Sequence, residues 1–175
     1  MKYIMFTAKN RSRLLQALLL FVTFGVLASC AKEYEPFDPV KQREKDDKQI
    51  QEYLQKNNVD MSTVTKTNSG LYYQLVEPGT GAKVESGDNV EVHYTGILLD
   101  GTKFDSSVDR NETFVIRPIG ANKVISGWDE GVKLMHVGEK ARLYIPSHLA
   151  YGTRGSYSIP PNTVLIFDIE IISIQ

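Results

Sequence analysis

Short stretches of alternating apolar and polar residues, bounded by turn formers, fill the C-terminal part of the chain, which is the pattern of half-buried β-strands. Five such stretches cover residues 71–76, 90–95, 114–116, 140–145 and 163–174. Between the third and the fourth, Trp128, Val132 and Met135 recur at helical spacing, and Ser126 or Gly127 is placed to cap the helix start. The pattern predicts an α+β domain, with one short helix laid across an antiparallel sheet of about five strands.

A different pattern opens the chain. Basic residues up to Arg13 precede an uninterrupted, mostly apolar run over residues 14–28. Fifteen helical residues span roughly 22 Å, which is short of the ~30 Å hydrocarbon core of a bilayer. A basic start, a short apolar middle and small residues after it are typical of a secretory signal, which we place at residues 1–29.

The end of this signal carries the sequence Leu27-Ala-Ser-Cys30. It resembles the lipobox of bacterial lipoproteins, in which the cysteine thiol is lipidated and becomes the new N-terminus after cleavage. The resemblance implies lipidation of Cys30 and a lipid-anchored protein of the cell envelope. Position 31 is alanine rather than the aspartate that retains enteric lipoproteins on the inner membrane. If the cell has two membranes, this favours the outer membrane, facing the periplasm or the surface. The alternatives are a signal peptide that ends in cysteine by chance, or an uncleaved short anchor.

Residues 30–66 are predicted to be a charged tether, since residues 31–66 hold eight acidic and seven basic side chains and no glycine. Pro36 and Pro39 are expected to keep its start extended. A short helix is expected from Asp46, where Ile50, Tyr53 and Leu54 form a narrow apolar stripe, to Asn57-Asn58. The segment is read as a spacer or as a solvated linker with one docked turn. Its stripe is too narrow for a coiled-coil dimer, so we expect a monomer.

Composition narrows the range of functions. The formal net charge is −1, and twelve of the 13 glycines lie between Gly70 and Gly155, which places the start of the folded domain near residue 67 and its span at 67–175. Near-neutral charge argues against a nucleic-acid binder that relies on bulk positive charge. A single cysteine excludes a disulfide-stapled scaffold.

The residue patterns of several common catalytic sites are absent from the predicted domain. It has no cysteine nucleophile, and His93, His136 and His148 lack the close spacing of a zinc site. Gly79-Thr-Gly81 is a lone G-x-G, for which a turn is the simpler interpretation. We therefore expect neither a metal nor a cofactor.

The domain instead carries five ordered motifs that contain aromatic residues, and four of them also contain glycine. They are Val92-His-Tyr-Thr-Gly96, Gly101-Thr-Lys-Phe-Asp-Ser-Ser107, Val124-Ile-Ser-Gly-Trp-Asp-Glu-Gly-Val132, Tyr151-Gly152 with Ile159-Pro-Pro161, and Leu165-Ile-Phe-Asp-Ile-Glu170. In this order they closely resemble the FKBP family of peptidyl-prolyl cis–trans isomerases, over about residues 70–174. The resemblance implies a curved antiparallel sheet wrapped around one short helix, with an apolar active site between them.

The resemblance also implies a role for each matching residue. Trp128 is expected to form the floor of the proline pocket, with walls and rim from Tyr94, Phe104, Phe114, Val124, Ile125, Ile159 and Phe167. Asp105 and the Tyr151 hydroxyl are expected to orient the amide, helped by the Ile125 backbone N–H, while Tyr94 and Arg110 contact Asp105. Tyr94, Asp105 and Tyr151 are thus the candidate catalytic residues. For Asp105 the alternative is a plain turn carboxylate.

The implied function is isomerisation of X–Pro bonds in exported polypeptides, with macrolides as a further expected ligand class. The alternatives are a non-catalytic chaperone or binding module that uses the same pocket, and a structural lipoprotein. Two loops depart from the family pattern, because 117–123 is about one residue longer and 152–158 about one shorter. In the second loop Tyr157 is expected at the rim or merely covering it.

Overall fold

The computed structural model describes residues 36–175, so the expected signal peptide and the lipidation site Cys30 lie outside the described residues. Within that range the helices are α1 (Pro39–Lys56) and α2 (Ser126–Gly131). The strands are β1 (Val64–Lys66), β2 (Tyr72–Glu77), β3 (Val90–Leu98), β4 (Lys103–Ser106), β5 (Phe114–Ile116), β6 (Lys140–Ile145) and β7 (Leu165–Ile174). No helix of residues 36–175 is long and apolar enough to cross a membrane.

All strand pairs are antiparallel and form one sheet in the order β1-β2-β6-β7-β3-β4. Strand β5 lies off this path and pairs with the first residues of β3, whereas β4 pairs with its last residues. The described sheet has seven strands, so the prediction of about five was short by two. Its five stretches correspond to β2, β3, β5, β6 and β7. Strand β1 has two exposed residues out of three, and β4 contains a single apolar residue, so neither alternates.

The inner face of the sheet packs on α2. Trp128, Val132 and Met135 are buried against it as predicted. The α-helix ends at Gly131, and a 3₁₀ turn over Val132–Leu134 continues it. Close approach depends on two glycines: a Cβ at Gly127 would lie 2.5 Å from Ile145, and one at Gly131 would lie 2.5 Å from Leu143.

The predicted cap of this helix was wrong. Ile125 occupies the N-cap position, and no side chain caps the helix start. The buried Asp129 instead accepts hydrogen bonds from the backbone N–H groups of Gly120 (2.9 Å) and Asn122 (2.7 Å). This carboxylate therefore fixes the loop before the helix.

Helix α1 is longer than expected, because it begins at Pro39 rather than at Asp46. The Asp38 side chain accepts hydrogen bonds from the N–H groups of Val40 (2.8 Å) and Lys41 (3.2 Å). Proline is favoured at the first helical position, where its missing N–H costs nothing and its φ already suits the helix. Pro39 thus starts the helix that we expected it to delay. The end at Lys56 agrees with the predicted stop at Asn57-Asn58.

The outer face of the sheet is covered in part by α1. Ile50 and Leu54 are fully buried against Tyr72, Tyr144 and Ile166, whose side chains point away from α2. Asp46 is also fully buried and accepts hydrogen bonds from the Ser147 N–H (2.8 Å) and Oγ (2.6 Å). Residues 38–175 form one compact unit, and the expected domain boundary at residue 67 falls just after the paired strand β1. The expected tether is therefore folded onto the sheet from residue 38 onward.

Candidate active site

A cavity of about 700 Å³ lies between α2 and the inner face of the sheet. All ten residues expected to contact or act on substrate line it, together with four from the bordering loops. The lining residues are Tyr94, Phe104, Asp105, Phe114, Lys123, Val124, Ile125, Trp128, Tyr151, Ser156, Tyr157, Ser158, Ile159 and Phe167. Sequence reasoning did not single out Lys123, Ser156 and Ser158, although they lie in or beside loops 117–123 and 152–158, which we expected to depart from the family pattern.

Trp128 is held by aromatic rings from three strands. Its ring centroid lies 5.1 Å from Tyr94 of β3 and 5.1 Å from Phe167 of β7, in both cases edge to face. Phe114 of β5 lies 6.1 Å away, also edge to face. Edge-to-face packing favours this geometry beyond the burial of area, because the positive ring edge meets the negative ring face. The indole is therefore fixed, and only 4% of its surface is exposed.

The walls of the cavity depend on Gly96 in β3. A Cβ at this position would lie 2.6 Å from the Phe104 ring and 2.8 Å from the Phe167 ring. Without that Cβ, Phe104 and Phe167 pack edge to face with their centroids 5.5 Å apart. Glycine is therefore needed at position 96, because the two rings occupy the space that a side chain would fill.

One polar cluster interrupts the apolar lining. The Tyr94 hydroxyl donates to Asp105 Oδ2 at 2.5 Å, and Arg110 forms an ion pair with Asp105 and donates to the Tyr94 hydroxyl oxygen at 3.0 Å. Asp105 lies in β4 opposite Gly96. Its carboxylate is thus held at the cavity wall on a strand rather than in a turn.

The cluster holds its groups in defined protonation states. Partial burial acts to raise the pKa of Asp105, but the hydrogen bonds from Tyr94 and Arg110 outweigh it and hold that pKa below its ordinary value. Burial, reinforced by the hydrogen bond to Asp105, raises the pKa of Tyr94. Burial also raises the pKa of Tyr151, and the Asp105 charge adds to the effect. The carboxylate is therefore ionised and both hydroxyls remain protonated at neutral pH.

Two loops shape the opening of the cavity. Tyr157 stands fully exposed at the rim with a φ of +45°. Gly155 has a φ of +65°, and a Cβ there would lie 2.4 Å from the Ile159 carbonyl oxygen. Ser156 and Ile159 exchange backbone hydrogen bonds of 2.9 and 2.7 Å. The loop is thus closed on itself next to Ile159, which lines the cavity.

The three histidines lie outside the cavity. His93 contacts Ser107 Oγ at 3.2 Å, His136 contacts Glu139, and His148 contacts the Ser69 carbonyl oxygen at 3.0 Å. Residues 36–175 contain no group of three His, Cys, Asp or Glu side chains that is arranged to hold a metal ion. In the described part of the chain, the available chemistry is therefore an apolar aromatic cavity with one ionised carboxylate and protonated tyrosine hydroxyls.

Comparisons with known proteins agree with this geometry. The sequence profile of the FKBP-type peptidyl-prolyl cis-trans isomerase family matches residues 80–172. The chain is 53% identical over 130 residues to FKBP-type peptidyl-prolyl cis-trans isomerase FkpA of Aeromonas hydrophila, covering 73% of this chain but 46% of that protein. It is 50% identical over 108 residues to FK506-binding protein 1A of Emericella nidulans, covering 61% of this chain and 99% of the relative.

A solved structure gives the same result for the fold. The crystal structure of FkpA from Escherichia coli superposes with a TM-score of 0.66 at 34% identity, covering 97% of this chain and 74% of that one. The chain thus spans less than half of the Aeromonas relative and nearly all of the smaller fungal one. Profile, relatives and fold converge on one assignment: the chain belongs to the FKBP-type peptidyl-prolyl cis-trans isomerase family.

Proposed function

We propose that this chain isomerises X–Pro peptide bonds in exported polypeptides and does so from a lipid anchor in the bacterial cell envelope. The observation that carries the catalytic part is the cavity floored by Trp128, whose lining is apolar except for the Asp105 cluster and a few rim groups. Such a cavity can bind a proline ring through apolar contacts, without a nucleophile that forms a covalent bond to the substrate.

The chemistry needs no nucleophile. An X–Pro bond rotates over a barrier of ~18–20 kcal/mol that amide resonance creates, and uncatalysed exchange takes tens to hundreds of seconds. The transition state is a twisted amide with broken conjugation, which is less polar than the planar ground state. A dry aromatic cavity disfavours the polar planar form and accommodates the proline ring throughout, so it binds the transition state more strongly than the ground state.

Each residue takes a role that follows from its place. Trp128 supports the proline ring, and Phe104, Phe114 and Phe167 exclude water around it. Asp105 supplies a fixed negative charge at one wall, and Tyr151 supplies a hydroxyl at the opening. These two groups orient the carbonyl that precedes proline, and the Tyr94 hydroxyl holds the carboxylate in position.

Macrolides are a second ligand class that we propose for the same cavity. The fungal relative is named as an FK506-binding protein, and the match covers 61% of this chain and 99% of that relative. The two loops of unusual length border the cavity opening, where a ligand larger than proline extends beyond the floor. Ring contacts with Trp128 support binding, and the loops determine its strength.

The anchor and the location rest on sequence. A lipidated Cys30 carries several acyl chains, each buried CH₂ contributing ~0.8 kcal/mol, which suffices for stable attachment to a membrane surface. Ala31 after the cysteine favours the outer membrane where the cell has two. A monomer is supported by α1, because Ile50 and Leu54 are buried in the chain's own sheet and are not available to a partner helix.

Refolding of a test protein whose slow phase is limited by X–Pro isomerisation tests this function. We expect the detergent-solubilised full chain to accelerate the slow phase in proportion to its concentration. A chaperone that only holds unfolded segments would raise the yield, or slow refolding, without accelerating that phase. A slow phase that is not accelerated would therefore favour the non-catalytic binding function over isomerisation.

A further inference from the structure

Lys123 is an exposed side chain that lines the opening of the cavity. The other ionised group that lines it, Asp105, is paired with Arg110. The ion pairs formed within residues 36–175 do not include Lys123. The cavity opening therefore has one positive charge that forms no ion pair with a carboxylate of the described residues.

The two loops that supply rim residues hold an excess of basic residues in their own sequence. Residues 117–124 and 152–158 contain Arg117, Lys123 and Arg154 and no acidic residue. Residues 36–175 as a whole hold 15 basic and 19 acidic side chains, so the two loops have the opposite sign to the rest of the described protein. A charged rim over a low-dielectric cavity concentrates its field at the opening.

The backbone that carries Lys123 is held in place. Asp129, which is 7% exposed, accepts hydrogen bonds from the N–H groups of Gly120 and Asn122. Val124 and Ile125, which follow Lys123 directly, line the cavity. The ammonium group is therefore tethered beside the position of a bound proline, and its flexible stem allows it to reach a neighbouring side chain of the substrate.

We propose that Lys123 is a specificity-determining residue that favours polypeptide segments with Asp or Glu next to the proline. This inference rests on the proposed isomerase function and names its substrate class. The expected preference over the neutral isostere is about two- to fivefold, the size of an exposed ion pair. It should fall toward unity as the ionic strength rises to about 1 M, where the screening length is about 3 Å.

The test uses the detergent-solubilised full chain and two matched pairs of peptides. In one pair Glu or Gln precedes proline, and in the other Glu or Gln follows it. Exchange NMR gives kcat/KM for cis–trans exchange of each peptide. We expect the Glu/Gln ratio to exceed 1 in at least one pair, to approach 1 in Lys123→Gln, and to fall below 1 in Lys123→Glu. Lys83→Gln, an exposed lysine away from the cavity, serves as the matched control and should keep the wild-type ratio.

Trp128 provides a second readout, because it is the single tryptophan of the chain and lies in the cavity. Quenching of its fluorescence measures binding of the same peptides whether or not they are turned over. Ratios at or below 1 in both pairs, or a ratio that survives in Lys123→Gln, would overturn the inference. Binding preference without any exchange of the Gln peptides would instead defeat the proposed isomerase function and leave the role of Lys123 standing.

Discussion

Asp105 is the residue on which the electrostatics of the cavity depend, because its carboxylate is the ionised acid of an otherwise largely apolar lining. Tyr94 and Arg110 donate to it, and strand β4 fixes its backbone opposite Gly96. The bond from the part-buried Tyr94 hydroxyl is charge-assisted and therefore stronger than a neutral one, whereas the ion pair with the exposed Arg110 is screened by solvent. The same contacts hold the pKa of Asp105 below its usual range, after partial burial has acted in the opposite direction.

Asp105→Asn should therefore lower kcat/KM for an X–Pro peptide on the order of ten- to a hundredfold, since each ~1.4 kcal/mol of lost transition-state stabilisation is tenfold. The variant keeps the side-chain shape and an oxygen that accepts from the Tyr94 hydroxyl, and the lost ion pair with Arg110 is solvent-exposed, so its urea midpoint should fall only slightly. Asp109→Asn is the matched control, because Asp109 is exposed on the same segment and pairs with Lys103 away from the cavity. If both variants keep full activity, Asp105 is a structural residue only.

The pH dependence follows from the same cluster. Because the pKa of Asp105 is lowered, its carboxyl group is already ionised at pH 5. Because the pKa values of Tyr94 and Tyr151 are raised, both hydroxyls stay protonated up to about pH 10. We expect kcat/KM to be flat from about pH 5 to 9. The stability that the Asp105 pairing contributes is present above the ordinary carboxyl pKa of about 3.9 and is lost as the pH falls through the lower folded-state pKa. A step in kcat/KM near pH 6.5 would indicate a titrating histidine and contradict this description of the site.

Nine of the ten predicted lining residues lie in the ordered motifs, and the tenth, Phe114, lies in a predicted strand. Strands and glycines fix the direction in which these side chains point. Lys123, Ser156 and Ser158 have no such constraint. Their positions depend on loop conformation, which the carboxylate of Asp129 sets for one loop and the positive φ of Gly155 sets for the other. Neither determinant can be read from local periodicity.

Among the elements, α1 shows where periodicity succeeds and where it fails. Its apolar stripe Ile50, Tyr53 and Leu54 was recognisable, whereas its first two turns have no apolar stripe and were missed. Those turns are stabilised by the Asp38 cap and by Asp46, a charged residue buried completely. Charged residues are almost never fully buried unless they are partnered. One partner, Gln42, lies a turn earlier in the same helix, but sequence alone does not show that the other, Ser147, lies 101 positions away.

The docking of α1 predicts a stability effect for Asp46. Asp46→Ala would leave the Ser147 N–H and hydroxyl without their buried acceptor, and each buried unsatisfied group costs about 1–3 kcal/mol. We expect the free energy of unfolding in urea to fall by about 2–4 kcal/mol. Glu52→Ala on the exposed face of the same helix, where the ion pair with Lys48 is solvated, should cost about 0.5 kcal/mol or less. If Asp46→Ala lowers the free energy of unfolding as little as Glu52→Ala does, the buried contact of Asp46 contributes little to the stability of the domain.

Over the whole molecule, the sheet is covered on two faces with different consequences. The inner face, with α2, forms the cavity, and α1 covers part of the outer face and makes residues 38–175 one unit. The predicted α+β architecture was correct because the alternation in the strands and the helical spacing of Trp128, Val132 and Met135 are both strong patterns. Strands β1 and β4 escaped detection because their residues do not alternate and the strands are defined by pairing with β2 and β3.

The proposed anchor gives a prediction for the full chain in cells. Cys30→Ala removes the thiol that accepts lipid, so the protein should leave the membrane fraction, as measured by ultracentrifugation and immunoblotting. Ser29→Ala retains a small residue before the cysteine and should remain in the membrane fraction. Persistence of Cys30→Ala in the membrane fraction would contradict lipid anchoring. Protease treatment of intact cells then separates a surface location from a periplasmic one.

The central claim is that the Trp128 cavity accelerates rotation about X–Pro bonds, and a protease-coupled assay tests it most directly. The assay follows the cis-to-trans relaxation of a neutral X–Pro peptide with and without the purified full chain. The relaxation rate should rise linearly with protein concentration while its amplitude, which reports the starting cis population, stays constant. A relaxation rate that does not change at any protein concentration would contradict the claim.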